Sequence, residues 1–247
     1  MAGHSKFKNI MHRKGAQDAR RAKKFARLIK ELQVAARASV DPSSNPRLRT
    51  ALASCKSANM PRENIERVLK KASSGDQDSL EEIRYEGYGP GGVAIIVEAV
   101  TDNRNRTASE VRSSFSKYGG NLSETGSVSY LFNNVGQIIY NLNKVKQDEV
   151  LEYSIELGAI DVSTESGNIE IITKIENFSD IREGLEKKFG ENEQAEIIWN
   201  AESLVTLDEK NTLTLLKLLE ALDNCEDVQN VFGNFDLDEN IVKNINF

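Results

Sequence analysis

Apolar side chains between residues 23 and 75 recur every three or four positions, the spacing of one face of an α-helix. The first such stripe covers residues 25–36. Pro46, preceded by Asn45, marks the first turn and the cap of a second helix, and Asn59-Met60-Pro61 separates it from a third. We therefore predict a small three-helix domain over residues 23–75.

After a polar linker, β-branched apolar runs alternate with helical patterns. Residues 135–200 predict the order strand, helix, strand, strand, helix, strand, which is that of a ferredoxin-like unit. Residues 80–134 and 201–247 each predict strand, helix, strand, with the first pair of strands at Gly92–Val100 and Ser127–Phe132. The predicted fold class is α+β, with an N-terminal three-helix domain plus two ferredoxin-like α/β domains, one inserted into the other.

Charge is distributed very unevenly along the chain. Residues 1–75 contain 18 Lys and Arg but 5 Asp and Glu, a net charge of +13, whereas the remainder contains 14 basic and 33 acidic residues, a net charge of −19. Residues 1–22 also carry few large apolar side chains, so we expect them to be a mobile basic arm when no partner is bound. This asymmetry predicts a polyanionic partner for the N-terminal part.

The basic arm and the start of the first helix supply most candidate phosphate contacts. On a helix, Arg13, Arg20 and Arg27 would recur every seven residues and form a basic face. Two other interpretations stay open: the arm could fold back onto the acidic part of the chain, or it could be a mitochondrial presequence. The second is disfavoured because the basic pattern continues directly into the first predicted helix. The candidates in this segment are Lys6, Lys8, His12, Arg13, Lys14, Arg20, Arg21, Lys23, Lys24 and Arg27.

Aromatic side chains accompany these cations. Phe7, with His4 and His12 nearby, could stack on nucleobases. The glycine-rich run over residues 85–92 lacks the ending of a phosphate-binding P-loop and precedes a strand, so it predicts a rigid turn. Tyr85 and Tyr88 in that run would offer further stacking surfaces if they are exposed.

Arg104 and Arg106 lie where a predicted strand passes into a helix whose cap is one of the neighbouring Asp or Asn residues. Cations are unfavourable at the positive end of a helix dipole. We therefore expect both arginines to contact a phosphate or an acidic partner.

The sequence offers no catalytic set. Its two histidines both lie within the first twelve residues, and Cys55 and Cys225 are too far apart for a metal-binding spacing. No apolar run approaches the length of a membrane span, and no secretory signal is present. These features predict a non-enzymatic cytoplasmic protein with no cofactor, metal, membrane or small-molecule substrate.

Several long motifs resemble the YebC family, which includes bacterial proteins described as transcriptional regulators and the mitochondrial translational activator of cytochrome c oxidase. They cover residues 1–23, 45–49, 58–71, 84–107, 116–128 and 227–236. The resemblance implies a cytoplasmic, cofactor-free protein with a helical N-terminal domain and two α/β domains, and a start at the motif itself favours the bacterial cytosol. Two departures are Phe7, where the family commonly has Trp, and Phe232-Gly233, where it commonly has Tyr-His.

The resemblance leaves the partner open. It implies a DNA-binding transcriptional regulator, or a translation factor that binds ribosomal or messenger RNA and acts on stalled ribosomes. A flexible basic arm suits structured RNA at least as well as a DNA groove, and no helix-turn-helix or zinc finger is evident. A third hypothesis is a protein-interaction module that binds its partner through the acidic domains.

Overall fold

The computed structural model describes residues 17–74, 79–165 and 167–237. These residues group into two compact units, one formed by residues 133–200 and the other by the described residues on either side of them. The fold class is the predicted α+β mixture of N-terminal helices followed by antiparallel sheets. A search of the described helices finds none with the length and apolarity needed to cross a lipid bilayer.

Three helices open the larger unit: α1 (Gln17–Ala36), α2 (Pro46–Ser57) and α3 (Arg62–Ser73). Asn45 caps α2 as predicted, accepting a hydrogen bond from Leu48 N at 3.0 Å, while its amide donates to Ala35 O at 2.7 Å. The three helices share an apolar core that includes Leu32, Leu48 and Cys55. Helix α1 begins at Gln17, so residues 17–22 of the predicted arm are helical; residues 1–16 lie outside the described residues.

The remaining elements alternate between strands and helices, as listed here in chain order. They are β1 (Glu81–Tyr88), β2 (Ala94–Thr101), α4 (Arg104–Lys117), β3 (Asn121–Ser123), β4 (Phe132–Asn141), α5 (Gln147–Glu156), β5 (Asp161–Glu165), β6 (Asn168–Thr173), α6 (Phe178–Phe189), β7 (Gln194–Ala201), β8 (Val205–Thr206), α7 (Glu209–Asn224), β9 (Val228–Gly233) and β10 (Phe235–Asp236). Short 3₁₀ turns occupy Pro90–Gly92, Ser129–Leu131 and Ile175–Asn177.

The sheet of the larger unit has the strand order β3-β1-β2-β9, with antiparallel neighbours. Helices α4 and α7 pack together on one face of it, over a core that includes Phe115, Leu215 and Val231. Counted in chain order, its strands lie in the order 3-1-2-4, which differs from the ferredoxin-like order 2-3-1-4 because the consecutive strands β1 and β2 pair at the centre of the sheet. A two-stranded parallel sheet of β8 and β10 lies in the same unit.

Two predicted details of this sheet are wrong. Tyr85–Tyr88 belongs to β1, so the rigid turn is confined to the following residues, where Gly91 and Gly92 have φ of 71° and 78°. The strand predicted over 127–132 is largely a 3₁₀ turn, and the strand lies earlier, at β3. The reason is a buried carboxylate: Glu86 accepts hydrogen bonds from Val128 N and Ser129 N, which removes those amides from any strand ladder.

The smaller unit has the strand order β5-β6-β4-β7, with α5 and α6 contributing to its core. Along the chain this unit runs strand, helix, strand, strand, helix, strand. This is the ferredoxin-like arrangement predicted for residues 135–200. Gly136 is required in β4, because a Cβ there would collide with Phe178 and Thr173. On the side of the larger unit, Glu202 N donates to Leu131 O at 3.0 Å, so the two chain segments that flank the smaller unit are hydrogen-bonded to each other.

Candidate nucleic-acid interface

The predicted basic contacts fall into three groups in the structure. Lys6, Phe7, Lys8, His12, Arg13 and Lys14 lie outside the described residues, and Arg20 lies on α1 in a stretch where only the backbone is described. Lys23 and Arg27 are partly buried on one side of α1. Arg21, Lys24 and Arg104 are exposed to solvent.

One side of α1 faces the acidic end of α7. Lys23 Nζ lies 2.5 Å from Asp223 Oδ2, and the Arg27 guanidinium donates to Asp223 Oδ1 at 2.8 Å. Arg27 also donates to the carbonyls of Asp223 and Val228 at 2.9 and 3.0 Å. Burial alone would raise the pKa of Asp223, but the charges and hydrogen bonds of Arg27 and Lys23 hold it below its ordinary value.

Asp227 forms a second and more enclosed contact with the same side of α1. Its side chain is 5% exposed and binds Lys30 Nζ at 2.8 Å and Arg106 at 2.7 Å. The hydroxyls of Thr101 and Thr107 lie 3.0 and 2.8 Å from the same carboxylate. Burial would raise the pKa of Asp227, but these four partners outweigh burial and keep it far below its usual range.

Lys23, Arg27 and Arg106 therefore have structural partners within the protein. For Lys23 and Arg27 this is the arrangement expected if the N-terminal segment folds back onto the acidic part of the chain. Arg106 explains how a cation can sit in the first turn of α4, because it pairs with Asp102 at 2.9 Å as well as with Asp227. A nucleic-acid role for these three side chains stays a prediction.

The exposed cations lie on other faces of the helices. Arg21 stacks over the ring of Phe25, with 5.3 Å between the guanidinium carbon and the ring centroid, and Lys24 is solvent-exposed on α1. Arg104 is exposed in the first turn of α4, which Asn103 caps by accepting from Arg106 N at 3.1 Å. Among the described candidates, these three side chains are the ones most accessible to a phosphate.

Both tyrosine candidates are less accessible than a stacking surface for a base would need to be. Tyr85 is half-buried against the core below α4, where burial raises its pKa, and its hydroxyl reaches Arg104 O at 3.5 Å. Tyr88 is also half-buried, and its hydroxyl donates to Ser127 O at 3.2 Å. Neither ring stands open to solvent on both faces.

Sequence reasoning missed two kinds of residue. Asp223 and Asp227 attach α1 to the α/β part, and the spacing of Lys23, Arg27 and Lys30 along one helix face could have indicated an acidic partner for them. Tyr130 was missed because it lies in a segment predicted as a strand; it is 69% exposed, and the proximity of its hydroxyl raises the pKa of Tyr88.

No metal-binding cluster of three or more His, Cys, Asp or Glu side chains occurs in residues 17–237 as far as the structure describes them. Cys55 is buried within the helical core, where burial raises its thiol pKa to about 11, and Cys225 is half-buried. A raised pKa disfavours the reactive thiolate. These two thiols therefore offer no activated nucleophile.

Comparison with known proteins agrees with this architecture. Residues 5–75 match a family model described as the TACO1/YebC protein N-terminal domain. Residues 80–235 match the model described as the TACO1/YebC second and third domain, whose short name denotes transcriptional regulators. The crystal structure of a conserved hypothetical protein, Aq1575 from Aquifex aeolicus, superimposes with a TM-score of 0.83 at 47% identity, covering 90% of this chain and 92% of that one.

Proposed function

Since this chain belongs to the TACO1/YebC family, we propose that it is a non-enzymatic, nucleic-acid-binding regulator of gene expression that works in the cytoplasm. Its family is associated with transcription regulation. The N-terminal basic segment and the helices that continue from it would supply the contacts with phosphate groups.

The observation that carries this proposal is the positive charge of the helical part, which exceeds what its ion pairs with the α/β part neutralise. Residues 17–74 contain 14 basic and 5 acidic side chains, a net charge of +9. Lys23, Arg27 and Lys30 pair with Asp223 and Asp227, yet Arg21 and Lys24 remain on the exposed surface. A surface with this excess of cations attracts polyanions by releasing their condensed counterions.

Duplex DNA is the partner that best matches the association of the family with transcription regulation. The alternative is a translation factor that binds ribosomal or messenger RNA, and the position of α1 favours it. Phe25, Leu28 and Leu32 pack against the helical core, while Lys23, Arg27 and Lys30 are held by the α/β part. With two of its faces occupied, α1 cannot lie deep in a major groove as a recognition helix does.

The test is a double charge reversal of exposed residues on α1, Arg21→Glu with Lys24→Glu, in the full chain. Binding to a single-stranded RNA, a structured RNA and a DNA duplex is measured by fluorescence anisotropy between about 50 and 200 mM salt. Lys210→Glu with Lys217→Glu on α7 is the matched control, because both lysines are exposed and the change in net charge is the same.

We expect the α1 variant to lose affinity and to show a shallower salt dependence, while the α7 variant retains most of its affinity. If ~6 phosphates are neutralised, the log–log salt slope is about −4 on single strands and about −5 on duplex. An affinity that does not depend on salt would contradict the proposal. The tighter-bound partner decides between the DNA and RNA forms of the function.

A further inference from the structure

Tyr130 is the most exposed large apolar side chain in the part of the chain that the structure describes, with 69% of its surface accessible. It lies in the 3₁₀ turn Ser129–Leu131, directly after Val128, which is completely buried. Burial of Val128 stabilises the turn, but the exposed ring of Tyr130 gains no free energy from burial. Packing within the protein therefore does not explain why an aromatic side chain occupies this position.

The turn that carries this ring is held in place before any ligand arrives. The carboxylate of Glu86, which is 0% exposed, accepts hydrogen bonds from Val128 N and Ser129 N, both at 2.9 Å. The Tyr88 hydroxyl donates to Ser127 O at 3.2 Å. The backbone that leads into the ring is therefore fixed, so a ligand that stacks on the ring pays little additional entropy for ordering the turn.

The cation Arg84 also contacts Glu86, the residue that holds the turn of Tyr130. Arg84, Glu86 and Tyr88 alternate along β1 and so share one face of the sheet. Arg84 Nε lies 3.1 Å from Glu86 Oε1, and the Arg84 side chain is 35% exposed. Glu86 thus links a partly exposed guanidinium to the turn that carries the exposed ring.

An aromatic platform with a nearby guanidinium is the combination with which proteins bind single-stranded nucleic acids. The exposed neighbours of Tyr130 on its loop are Glu124, Thr125 and Gly126, which are polar or small. A protein partner would be favoured by an apolar surround, which these residues do not provide. A paired base in a duplex presents no free face to the ring.

We propose that Tyr130 is a stacking platform for an unpaired base of a single-stranded nucleic acid, on a turn that Glu86 connects to Arg84. This inference rests on the proposed nucleic-acid-binding function and specifies a contact other than those of the α1 cations. It assigns the recognition of bases, as distinct from phosphates, to the α/β part of the chain.

The experiment compares three substitutions in the full chain: Tyr130→Ala removes the ring, Tyr130→Phe removes only the hydroxyl, and Leu204→Ala is the control. Leu204 is another exposed apolar side chain of the same unit, at 45% exposure. Binding is measured to a single-stranded RNA and to a strand of equal length whose sugar-phosphate backbone lacks bases. Urea unfolding of each variant checks that the fold is retained.

We expect Tyr130→Ala to weaken binding to the single-stranded RNA by roughly 5- to 150-fold and to leave binding to the abasic strand unchanged. Tyr130→Phe and Leu204→Ala should bind both strands as the wild type does. If Tyr130→Ala loses equal affinity for both strands, or loses none, the stacking role is overturned. The absence of any loss would instead favour a protein as the partner of this ring. A wild-type chain that binds a DNA duplex but neither strand overturns this inference alone, whereas one that binds none of the three rejects the proposed function as well.

Discussion

Lys30 of helix α1 donates a hydrogen bond to Asp227 at 2.8 Å, and this ion pair attaches the helical part of the larger unit to its sheet. The same ammonium group lies 3.1 Å from Val100 O and 3.0 Å from Glu226 O. All three acceptors belong to the α/β part of the chain. Helix α1 is therefore fixed to this part by directional contacts and not by charge attraction alone.

Replacing Asp227 with Asn should lower the free energy of unfolding by about 1 to 3 kcal/mol, because the enclosed carboxylate would lose its charge-assisted hydrogen bonds with Lys30 and Arg106, which are themselves partly exposed. Urea denaturation followed by circular dichroism measures the change. Asp102→Asn is the control, since Asp102 pairs with the same Arg106 but is 60% exposed; it should leave stability unchanged. Equal effects of the two substitutions would show that the enclosed position of Asp227 contributes nothing.

Acid should weaken the attachment of α1. Asp223 and Asp227 have folded-state pKa values below those of the unfolded chain. Their stabilisation is therefore complete above the ordinary carboxyl pKa of about 4 and is lost as pH falls below it, towards the folded-state pKa values. We expect the wild type to lose stability between about pH 5 and pH 2 more steeply than Asp227→Asn does, as measured by urea unfolding at each pH. Parallel curves for the two proteins would contradict this linkage.

Removal of the Glu86 carboxylate should release the turn that carries Tyr130. In Glu86→Ala the amides of Val128 and Ser129 lose their acceptor and Arg84 loses its buried counterion, at a cost of about 3 kcal/mol. Hydrogen exchange followed by NMR should show loss of protection at both amides. Glu124→Ala is the control, because Glu124 is an exposed carboxylate on the same loop, and it should leave the two amides protected.

Residues 133–200 should fold without the rest of the chain, because they form a closed ferredoxin-like unit with its own core. Trp199, the one tryptophan in the sequence, lies on β7 and reports on this unit by fluorescence. We expect the isolated segment to unfold in urea in one cooperative transition. A gradual, non-cooperative change would show that the segment depends on the flanking chain and would contradict the predicted nested arrangement.

Local sequence patterns were sufficient where periodicity and capping agree. Helix α2, with Asn45 as cap and Pro46 in its first turn, and the alternation over residues 135–200 were predicted from such patterns. Strand β1 was not, because its Gly87 begins a run of glycines that is typical of a turn. Its Gly87 is fixed by tertiary packing: a Cβ there would lie 2.5 Å from Asn121 O and 2.9 Å from the ring of Phe115.

The candidate site was predictable only in part for a similar reason. The sequence identifies which side chains are basic, but it does not separate those that pair internally from those that remain exposed. Lys23 and Lys24 are adjacent in sequence, yet Lys23 binds Asp223 and Lys24 faces solvent. The partner lies 200 positions away, and no local pattern relates the two residues.

The hydrogen bond from Glu202 N to Leu131 O has a consequence for how such a chain could be assembled. A segment whose two flanks are joined in this way can be removed or exchanged without separating the strands of its host. A short glycine linker from Phe132 to Ala201 should close the larger unit around its own core, as tolerated insertions do when their ends are near each other. Residues 133–200 thus have the geometry of an exchangeable module.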